Sequence, residues 1–307
     1  MDGVLVVDKP SGPTSHDVVD HVRRALRVRR AGHTGTLDPF ATGVLPVCVG
    51  KATRLARFLS AGDKTYRARV RLGFATTTDD LTGEPLAAPH AVRVTASDVE
   101  AACRGLIGER LQVPPAYSAK HSAGQRLYDL ARRGVAVERP PVPVVVHALD
   151  IQRVEGDEID MTVRCAAGTY VRALARDLGA ALGTGGHLVG LRRERSGAFG
   201  EEQAIGWDEI ERRGREALVP MGALLTELPA VTVTDEGRAA LRHGRDLGTS
   251  ALVDGFPAAA APRLRVLDGS GALIALATPR PLPAGDELRV EPVLHPDIVL
   301  LDTSGRG

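Results

Sequence analysis

The sequence predicts an α+β fold, with a mixed, mainly antiparallel central sheet flanked by helices and loops. Two stretches, TYRARVRLG (65–73) and DEIDMTVRCAAG (157–168), alternate apolar and polar residues as half-buried strands do. Such alternation favours an antiparallel or mixed sheet, because strands of these sheets commonly keep one polar face. Short β-rich segments after a break near residues 226–231 predict a second, barrel-like unit at the C-terminal end.

The first predicted elements are a short strand that begins at VLVVDKP (4–10) and a helix over TSHDVVDHVRRALRV (14–28). Thr14 or Ser15 can cap this helix, with Asp17 in its first turn. Its apolar stripe consists of Val18, Val19, Val22 and Leu26.

The next strand, 65–73, turns Tyr66 and the alternate apolar residues inward and three arginines outward, which predicts a positive open face. A helix over 97–108 begins with a predicted capping box from Ser97 to Glu100. Another helix over 170–186 should end at Gly183.

The break divides the chain into predicted domains of residues 1–227 and 228–307. Within the second domain, residues 263–279 predict a hairpin with a turn at 268–271, and DELRVEPV (286–293) predicts another strand. The Ala/Pro-rich segment 249–262 predicts a flexible loop.

Composition excludes several classes of protein. The apolar runs are too short to span a membrane, and the N-terminus lacks the basic start of a signal peptide. The three cysteines form no CxxC pair and the nine histidines form no HExxH motif, so we expect no disulfide and no metal. A reducing cytoplasm fits this pattern.

Charge is distributed unevenly along the chain. The formal net charge is +1, but residues 1–80 contain 13 Lys and Arg against 8 Asp and Glu. A locally basic face can steer nucleic acid, although a merely solvated surface would have the same composition.

The stretch GHTGTLDPFATGVL (32–45) contains one carboxylate, Asp38, between glycines and a proline. Pro39 favours extended geometry at Asp38, and Gly32, Gly35 and Gly43 permit tight turns near a ligand. An acid held this way beside cations can act as a nucleophile or base, but Asp is also common in turns and at helix N-caps.

Other motifs in the chain are weaker. Asp79 and Asp80 lie in TTTDDLTG (76–83), which predicts a turn. The Gly-rich GTGGHLVG (183–190) has no Walker lysine and does not follow a strand, so a phosphate loop is not indicated.

Six motifs together resemble the tRNA pseudouridine-55 synthases of the TruB family. The N-terminal and catalytic motifs of that family are similar to LVVDKPSGPTSHDVV and GHTGTLDPFATGVLPVCVGKATR. The stretches KTYRARVRLG and CAAGTYVRALARDLG resemble its stacking-tyrosine and arginine motifs, and HLVGLRRERSGAF its closing signature. A thumb-like insertion is similar to PPAYSAKHSAGQRLYDLARRG, at about residues 112–140, and the C-terminal segment resembles a small PUA domain.

The resemblance implies a role for each of seven residues. Asp38 would be the nucleophile, attacking C6 or C1′ of a flipped uridine, and Arg172 would pair with it. Tyr66 would stack on the base and assist proton removal from C5. The remaining implied residues are Tyr170 and Leu191 as pocket walls, His33 in the gap left by extruded nucleotides, and Lys9 as support for the N-terminal motif.

From the residues alone, simpler roles remain open. Tyr66 and Leu191 could be core residues, and Arg172 could lie on a helix surface. His33 could be a turn residue.

The resemblance also implies the protein's partner and reaction. It implies a cytoplasmic isomerase that needs no cofactor, acts on the tRNA T-arm stem-loop without an obligatory protein partner or a membrane, and is a monomer. The alternatives are a relative of the guide-RNA-dependent pseudouridine synthases and a tRNA-binding or tRNA-folding chaperone. The insertion and the modest net charge favour the stand-alone enzyme.

Overall fold

The structure is a computed structural model that describes residues 1–116, 121–122, 125–126, 139–256, 261–281 and 292–301. The helices among these residues are α1 (Ser15–Leu26), α2 (Ala56–Leu59), α3 (Ala96–Arg104), α4 (Val171–Ala181), α5 (Ile210–Arg213) and α6 (Asp235–Arg242). The strands up to the insertion are β1 (Gly3–Lys9), β2 (Ala31–His33), β3 (Thr42–Val49), β4 (Lys64–Leu72), β5 (Gly108–Gln112), β6 (His121–Ser122) and β7 (Gln125–Arg126). The later strands are β8 (Val142–Glu155), β9 (Glu158–Cys165), β10 (Gly186–Ser196), β11 (Phe199–Gly200), β12 (Ile205–Gly206), β13 (Val219–Pro220), β14 (Ala230–Thr232), β15 (Leu264–Leu267), β16 (Leu273–Pro281) and β17 (Pro292–Val299).

A large mixed sheet forms the main body, in the order β12-β1-β3-β10-β4-β9-β8-β5. Its pairs are antiparallel except for β1 with β12 and β10 with β3. The α+β prediction with a mainly antiparallel sheet is therefore confirmed. The strands β3, β10 and β4 lie side by side at its centre, and they lead to the candidate site.

One face of this sheet packs against α1 and α4. The predicted stripe of α1 is buried together with Leu5 and Val47 of the sheet, while Leu174 and Leu178 of α4 pack into the same core. The alternation of β4 and β9 is confirmed, because Tyr66 and Met161 are buried with their alternate neighbours.

The helix ends follow local capping chemistry. Thr14 caps α1, and its hydroxyl accepts a hydrogen bond from the Asp17 N–H. The prediction of a Ser97–Glu100 box for α3 is wrong, because the box is formed two residues earlier by Thr95 and Asp98. The sequence contains both patterns in overlapping register, so spacing alone did not distinguish them. The α4 helix ends at Ala181, and Gly183 follows with a φ of +68°.

The predicted positive face of β4 is also wrong. Arg67 pairs with Glu194 of β10, Arg69 pairs with Asp160 of β9, and Arg71 pairs with Glu158 of β9. These arginines therefore form a charge-paired ladder across three strands, and the neighbouring acids offset their positive charge.

The C-terminal residues form a four-stranded sheet in the order β14-β15-β16-β17, with α6 beside it. The predicted hairpin is confirmed as β15 and β16, and the turn closes through a 2.8 Å hydrogen bond from Gly271 N–H to Asp268 C=O. Most of the predicted strand 286–293 lies outside the described residues. The 249–262 prediction is wrong for its first part, because Leu252 is buried in the core of this unit, and 257–260 lie outside the described residues.

The two units share a hydrophobic core on the second face of the large sheet. Val4 and Val6 of β1 pack in one cluster with Leu273, Leu276 and Leu300 of the C-terminal unit. Most of the predicted 112–140 insertion lies outside the described residues. Within the part of the chain that the structure describes, no helix is long and apolar enough to cross a membrane.

Candidate active site

Asp38 lies on the loop between β2 and β3, at the start of a turn. The Ala41 N–H donates to the Asp38 carbonyl at 3.1 Å, and the Gly12 N–H donates to the Pro39 carbonyl at 2.8 Å. Asp38 is thus a turn residue, as the sequence allows, and it is not a helix N-cap. Its carboxylate is 29% exposed and lines an open cavity.

Arg172 holds the Asp38 carboxylate by two parallel hydrogen bonds. Its Nε donates to Oδ2 and its Nη2 donates to Oδ1, each at 3.0 Å. Arg172 occupies the first turn of α4, where its side chain is only 7% exposed. A bidentate pair of this kind fixes both the position and the orientation of a carboxylate.

A second carboxylate shares the same guanidinium. Asp80 accepts from Arg172 Nη1 at 3.2 Å, and its side chain is 4% exposed. Asp79 pairs one helical turn further along with Arg176, at 2.8 Å. The sequence correctly predicts a turn here but misses its role, because both acids are buried against arginines of α4.

The pKa of the Asp38 carboxyl reflects opposing influences. Burial raises it, the Arg172 guanidinium lowers it, the nearby Asp80 carboxylate raises it, and the Lys9 ammonium lowers it. Burial is the largest of these influences and Arg172 the second, and the net effect is a pKa above its ordinary value. The resulting carboxylate is aimed by a cation yet poorly solvated, which favours reaction with an electrophilic carbon.

The cavity beside Asp38 has a volume of about 410 Å³. This lies within the range of small-molecule sites and suits a single nucleoside. Four of the other predicted residues line it: Tyr66, Tyr170, Arg172 and Leu191. The structure therefore brings together five of the seven predicted residues around one cavity.

Tyr66 reaches the cavity from β4. Its side chain is 8% exposed, and burial raises the pKa of its phenol. It faces inward with Ala68 and Val70, so it belongs to the core and to the cavity wall at once. A mostly buried ring that borders a cavity can stack against a flat base that enters the cavity.

Tyr170 precedes α4 and is positioned by a residue that the sequence analysis missed. Gln112 of β5 is fully buried, accepts from the Tyr170 N–H at 2.9 Å and donates to the Tyr170 carbonyl at 3.2 Å. A glutamine that satisfies both backbone groups of one residue fixes the entry of α4 beside Asp38.

Leu191 lines the cavity from β10, and Arg193 lies two residues further on the same face of that strand. Arg193 is opposite Tyr66 in the β10–β4 register. The period-2 spacing from Leu191 is the signal that could have separated Arg193 from Arg192. It would also place Arg195 on the same face, and the register shift between Arg193 and Arg195 is what separates those two residues.

Lys9 lies beneath the Asp38 loop and is not among the residues that line the cavity. It is fully buried, and its Nζ donates to the carbonyls of Pro10, Pro39 and Ala41 at 3.0, 3.1 and 2.6 Å. Burial lowers the pKa of Lys9 to about 8. Lys9 thus braces the loop from below.

Ser15 fastens the other side of the loop. Its Oγ accepts from the Leu37 N–H at 2.9 Å and lies 3.1 Å from the Leu37 carbonyl, to which it donates. The first residue of α1 therefore fixes the backbone next to Asp38.

His33 is half-buried on β2, next to the cavity-lining residues 34–38. Its Nδ1 accepts from the Gly35 N–H at 3.3 Å, and its ring meets the edge of His16 at 5.3 Å. Burial lowers the pKa of His33 to about 4, so the ring is neutral at pH 7.

Of the three glycines expected to allow tight turns, only Gly43 has a positive φ, of +100°. A Cβ there would lie 2.2 Å from the Arg193 carbonyl, so Gly43 permits the close approach of β3 and β10. Gly32 lies in β2 with open space around it, so the expectation is wrong there.

Two arginine clusters, in residues 23–30 and 192–195, flank the site in the sequence. Within the described part of the chain, only the first contains several exposed arginines without an ion-pair partner. Arg24, Arg27, Arg29 and Arg30 are exposed and have no ion-pair partner among the residues that the structure describes. In the second cluster, Arg192 pairs with Asp8 and Glu201, and Arg195 pairs with Glu202. We name the first group of four the α1 arginine patch.

Two family profiles match the chain over adjacent segments. The profile described as TruB family pseudouridylate synthase (N terminal domain) matches residues 23–171. The profile described as tRNA pseudouridylate synthase B C-terminal domain matches residues 172–226. The chain belongs to the TruB family.

Relatives agree with this membership. A protein of Solibacter usitatus called tRNA pseudouridine synthase B is 46% identical over 81% of this chain and 87% of its own length. The protein of the same name from Symbiobacterium thermophilum is 49% identical over 80% of this chain and 82% of its own. The TruB resemblance of the six motifs is therefore confirmed.

Solved structures share the TruB fold along nearly the whole chain. A Cbf5-Nop10-Gar1 complex contains a chain that is 29% identical, with a TM-score of 0.72 over 98% of this chain and 85% of its own. An H/ACA RNP bound to a substrate RNA containing 2′-deoxyuridine gives 27% identity and a TM-score of 0.71, over 98% and 86%. Both similarities extend through the C-terminal unit.

Proposed function

We propose that this protein converts the uridine at position 55, in the T-loop of tRNA, to pseudouridine, with Asp38 as the nucleophile. Membership of the TruB family makes it a pseudouridine synthase, and its relatives at 46–49% identity are named for activity on tRNA. The observation that carries the proposal is the Asp38 carboxylate, held by Arg172 at the edge of a nucleoside-sized cavity.

The reaction needs the target base outside the RNA stack, since a stacked base cannot reach a recessed carboxylate. Tyr66 offers a ring for the flipped base and Leu191 an apolar wall, while Tyr170 borders the same space. His33, neutral beside the loop, would occupy the gap left in the RNA. Lys9 would act through the loop that it braces.

Asp38 would attack C1′ or C6 of the flipped uridine. The glycosidic bond then breaks, the uracil turns in the cavity, and C5 forms the new bond to C1′. Tyr66 would assist removal of the C5 proton, which restores the aromatic ring. The product is an isomer of the substrate, so the reaction consumes no co-substrate.

The T-arm would approach across the α1 arginine patch. These side chains lie in the last turn of α1 and just after it, and the chain continues from them through β2 to the loop that carries Asp38. Exposed arginines without acid partners contact phosphates at little cost, and they make binding depend on salt. The C-terminal unit, residues 228–307, would act as a PUA-like domain that extends this surface.

A stand-alone enzyme is favoured over a guide-dependent relative. The two relatives described above, which are named for tRNA, are 46% and 49% identical, whereas the Cbf5 chain is 29% identical. We expect a monomer that acts in the cytoplasm.

The decisive experiment is pseudouridine mapping of T-arm transcripts incubated with the pure protein, without guide RNA or cofactor. We expect modification at position 55 only, and none with Asp38→Asn, which should still bind tRNA. Modification that requires an added guide would support the Cbf5-like alternative. Wild-type activity of Asp38→Asn would contradict the nucleophile assignment, and tRNA binding without any modification would support a folding chaperone.

A further inference from the structure

The floor of the cavity contains two buried cations that the steps above do not use. Arg193 is 1% exposed and Lys64 is 6% exposed, and both line the cavity together with Tyr66. Burying a cation is costly unless hydrogen-bond acceptors or a negative charge lie nearby.

Arg193 is held by two elements of the site. Its Nε donates to the Val44 carbonyl of β3 at 2.7 Å, and its Nη2 donates to the Gly35 carbonyl of the Asp38 loop at 3.1 Å. Its charge also acts on the Tyr66 phenol, where it opposes the rise in pKa that burial causes. These contacts fix the guanidinium at the end of the cavity where Tyr66 lies.

Lys64, at the start of β4, extends this cationic floor. Its Nζ donates to the carbonyls of Ser60 and Gly62. Within the described ranges, neither Lys64 nor Arg193 lies within ion-pairing distance of a carboxylate, and their acceptors are backbone carbonyls. Their charges are therefore not neutralised by the site itself.

The proposed reaction moves a negative charge toward this floor. Attack of Asp38 on C1′ forms a neutral ester, and the electron pair of the broken C1′–N1 bond stays on the uracil. Attack on C6 forms the same kind of ester bond to the ring, and the pair of the C5–C6 double bond moves onto O4. In either route the carboxylate loses its charge and the uracil ring gains it.

We propose that Arg193 and Lys64 stabilise the negative charge that reaches the uracil ring when Asp38 attacks. The inference rests on the proposed function, because it requires Asp38 as the nucleophile. Before the attack, Arg172 pairs with the negative charge on Asp38. After it, Arg193 and Lys64 would lie near the negative charge on the uracil ring. Preorganised cations in a poorly solvated cavity stabilise such a developing charge strongly.

The test compares single-turnover rates on two T-arm transcripts that differ only at the target, uridine or 5-fluorouridine. Fluorine withdraws electrons, so a fluorinated ring depends less on outside help to bear a negative charge. Consumption of the target nucleotide is measured by nuclease digestion and chromatography. We expect Arg193→Gln to slow the uridine transcript about 100-fold and Lys64→Gln about tenfold, with clearly smaller losses on the fluorinated one.

Arg195→Gln is the matched control, because Arg195 lies on the same strand but is 49% exposed and pairs with Glu202. It should leave both rates unchanged, and Arg193→Lys, which keeps the charge, should lose less than Arg193→Gln. Binding of tRNA and thermal unfolding are measured for every variant.

Equal losses on the two transcripts would reduce Arg193 to a structural role and overturn the inference, as would a wild-type rate of Arg193→Gln. If that variant does not fold, Lys64→Gln decides in the same way. None of these outcomes affects the proposed function. That proposal fails only if Asp38→Asn is active, or if the wild-type protein leaves the tRNA unmodified.

Discussion

Asp80 binds Arg172 on the side opposite Asp38, so that one guanidinium lies between two carboxylates. The Asp80 contact is 3.2 Å long and the two Asp38 contacts are 3.0 Å each. Asp80 therefore divides the charge of Arg172 and weakens its hold on Asp38. Because Asp80 shares Arg172 with Asp38, a change at Asp80 should alter the reactivity of Asp38.

Replacing Asp80 with asparagine removes a negative charge beside Arg172, together with one of the two acceptor oxygens that Arg172, Thr78 and Thr82 now share. Asp80→Asn keeps an oxygen for Arg172 but removes the carboxylate that raises the pKa of Asp38. The pKa of Asp38 should fall, so the acid limb of the rate profile should shift to lower pH. We expect the rate at pH 7.5 to drop roughly tenfold, since the more tightly paired carboxylate is less reactive. An unshifted acid limb would contradict this relationship.

Arg172→Lys tests the bidentate geometry. A lysine keeps the charge but cannot form two parallel bonds, so Asp38 would lose its fixed orientation. We expect the single-turnover rate to fall about 100-fold with tRNA affinity within about twofold. Arg176→Lys, one helical turn along and bound to Asp79, is the control and should retain most activity. Equal losses of rate and affinity in Arg172→Lys would count against its role.

The α1 arginine patch predicts a specific salt dependence. Replacing Arg24, Arg27 and Arg30 with glutamine should weaken tRNA binding and reduce the slope of log affinity against log salt by about two units. The same change at the three paired arginines of β4 removes as much charge, but from an ion-paired ladder. If the two triple variants reduce the slope of log affinity against log salt by the same amount, net charge rather than the patch controls binding.

His33 should make stability depend on mildly acidic pH. Its pKa is lowered from 6.5 to about 4 in the folded chain, so between these values the unfolded chain binds more protons. The free energy of unfolding should therefore fall as pH drops through this window, by at most about 1.4 kcal/mol per pH unit from this group. Urea unfolding of the wild type and His33→Gln at several pH values measures it, and the variant should have the shallower slope. Identical slopes would contradict the prediction.

The shared core predicts that the two units unfold together. Leu276 is fully buried in the cluster that joins β16 to β1, so Leu276→Ala should lower the free energy of unfolding by about 3 kcal/mol. Trp207, the only tryptophan, stacks on His21 of α1. Its fluorescence therefore reports the unfolding of the unit that contains the large sheet. The Trp207 transition should shift in Leu276→Ala, whereas Val253→Ala, at a residue that is 59% exposed, should leave it unchanged. An unshifted Trp207 transition in Leu276→Ala would show that the two units unfold independently.

Much of this fold was predictable because its local patterns are strong. Strict alternation gave the inward face of β4, including Tyr66, and the spacing of valines gave the buried face of α1. The exact start of α3 was not predictable, since two overlapping capping patterns differ only in which threonine or serine the backbone reaches.

The site was harder to predict, because its contacts join residues far apart in the chain. Asp80 and Arg172 are 92 positions apart, and nothing in TTTDDLTG distinguishes a buried acid from a turn acid. Arg192, Arg193 and Arg195 look alike in the sequence, yet only Arg193 points inward with Leu191. Motif resemblance supplied the members of the site that local patterns could not.

The order of strands in the large sheet has a consequence for synthesis on the ribosome. Asp38 emerges early, but Arg172 and β10, which complete its surroundings, follow more than 130 positions later. Pairing between such distant segments closes late in folding. A growing or prematurely ended chain therefore presents its acid without an aiming guanidinium, and chemistry on RNA begins only after β10 has been synthesised.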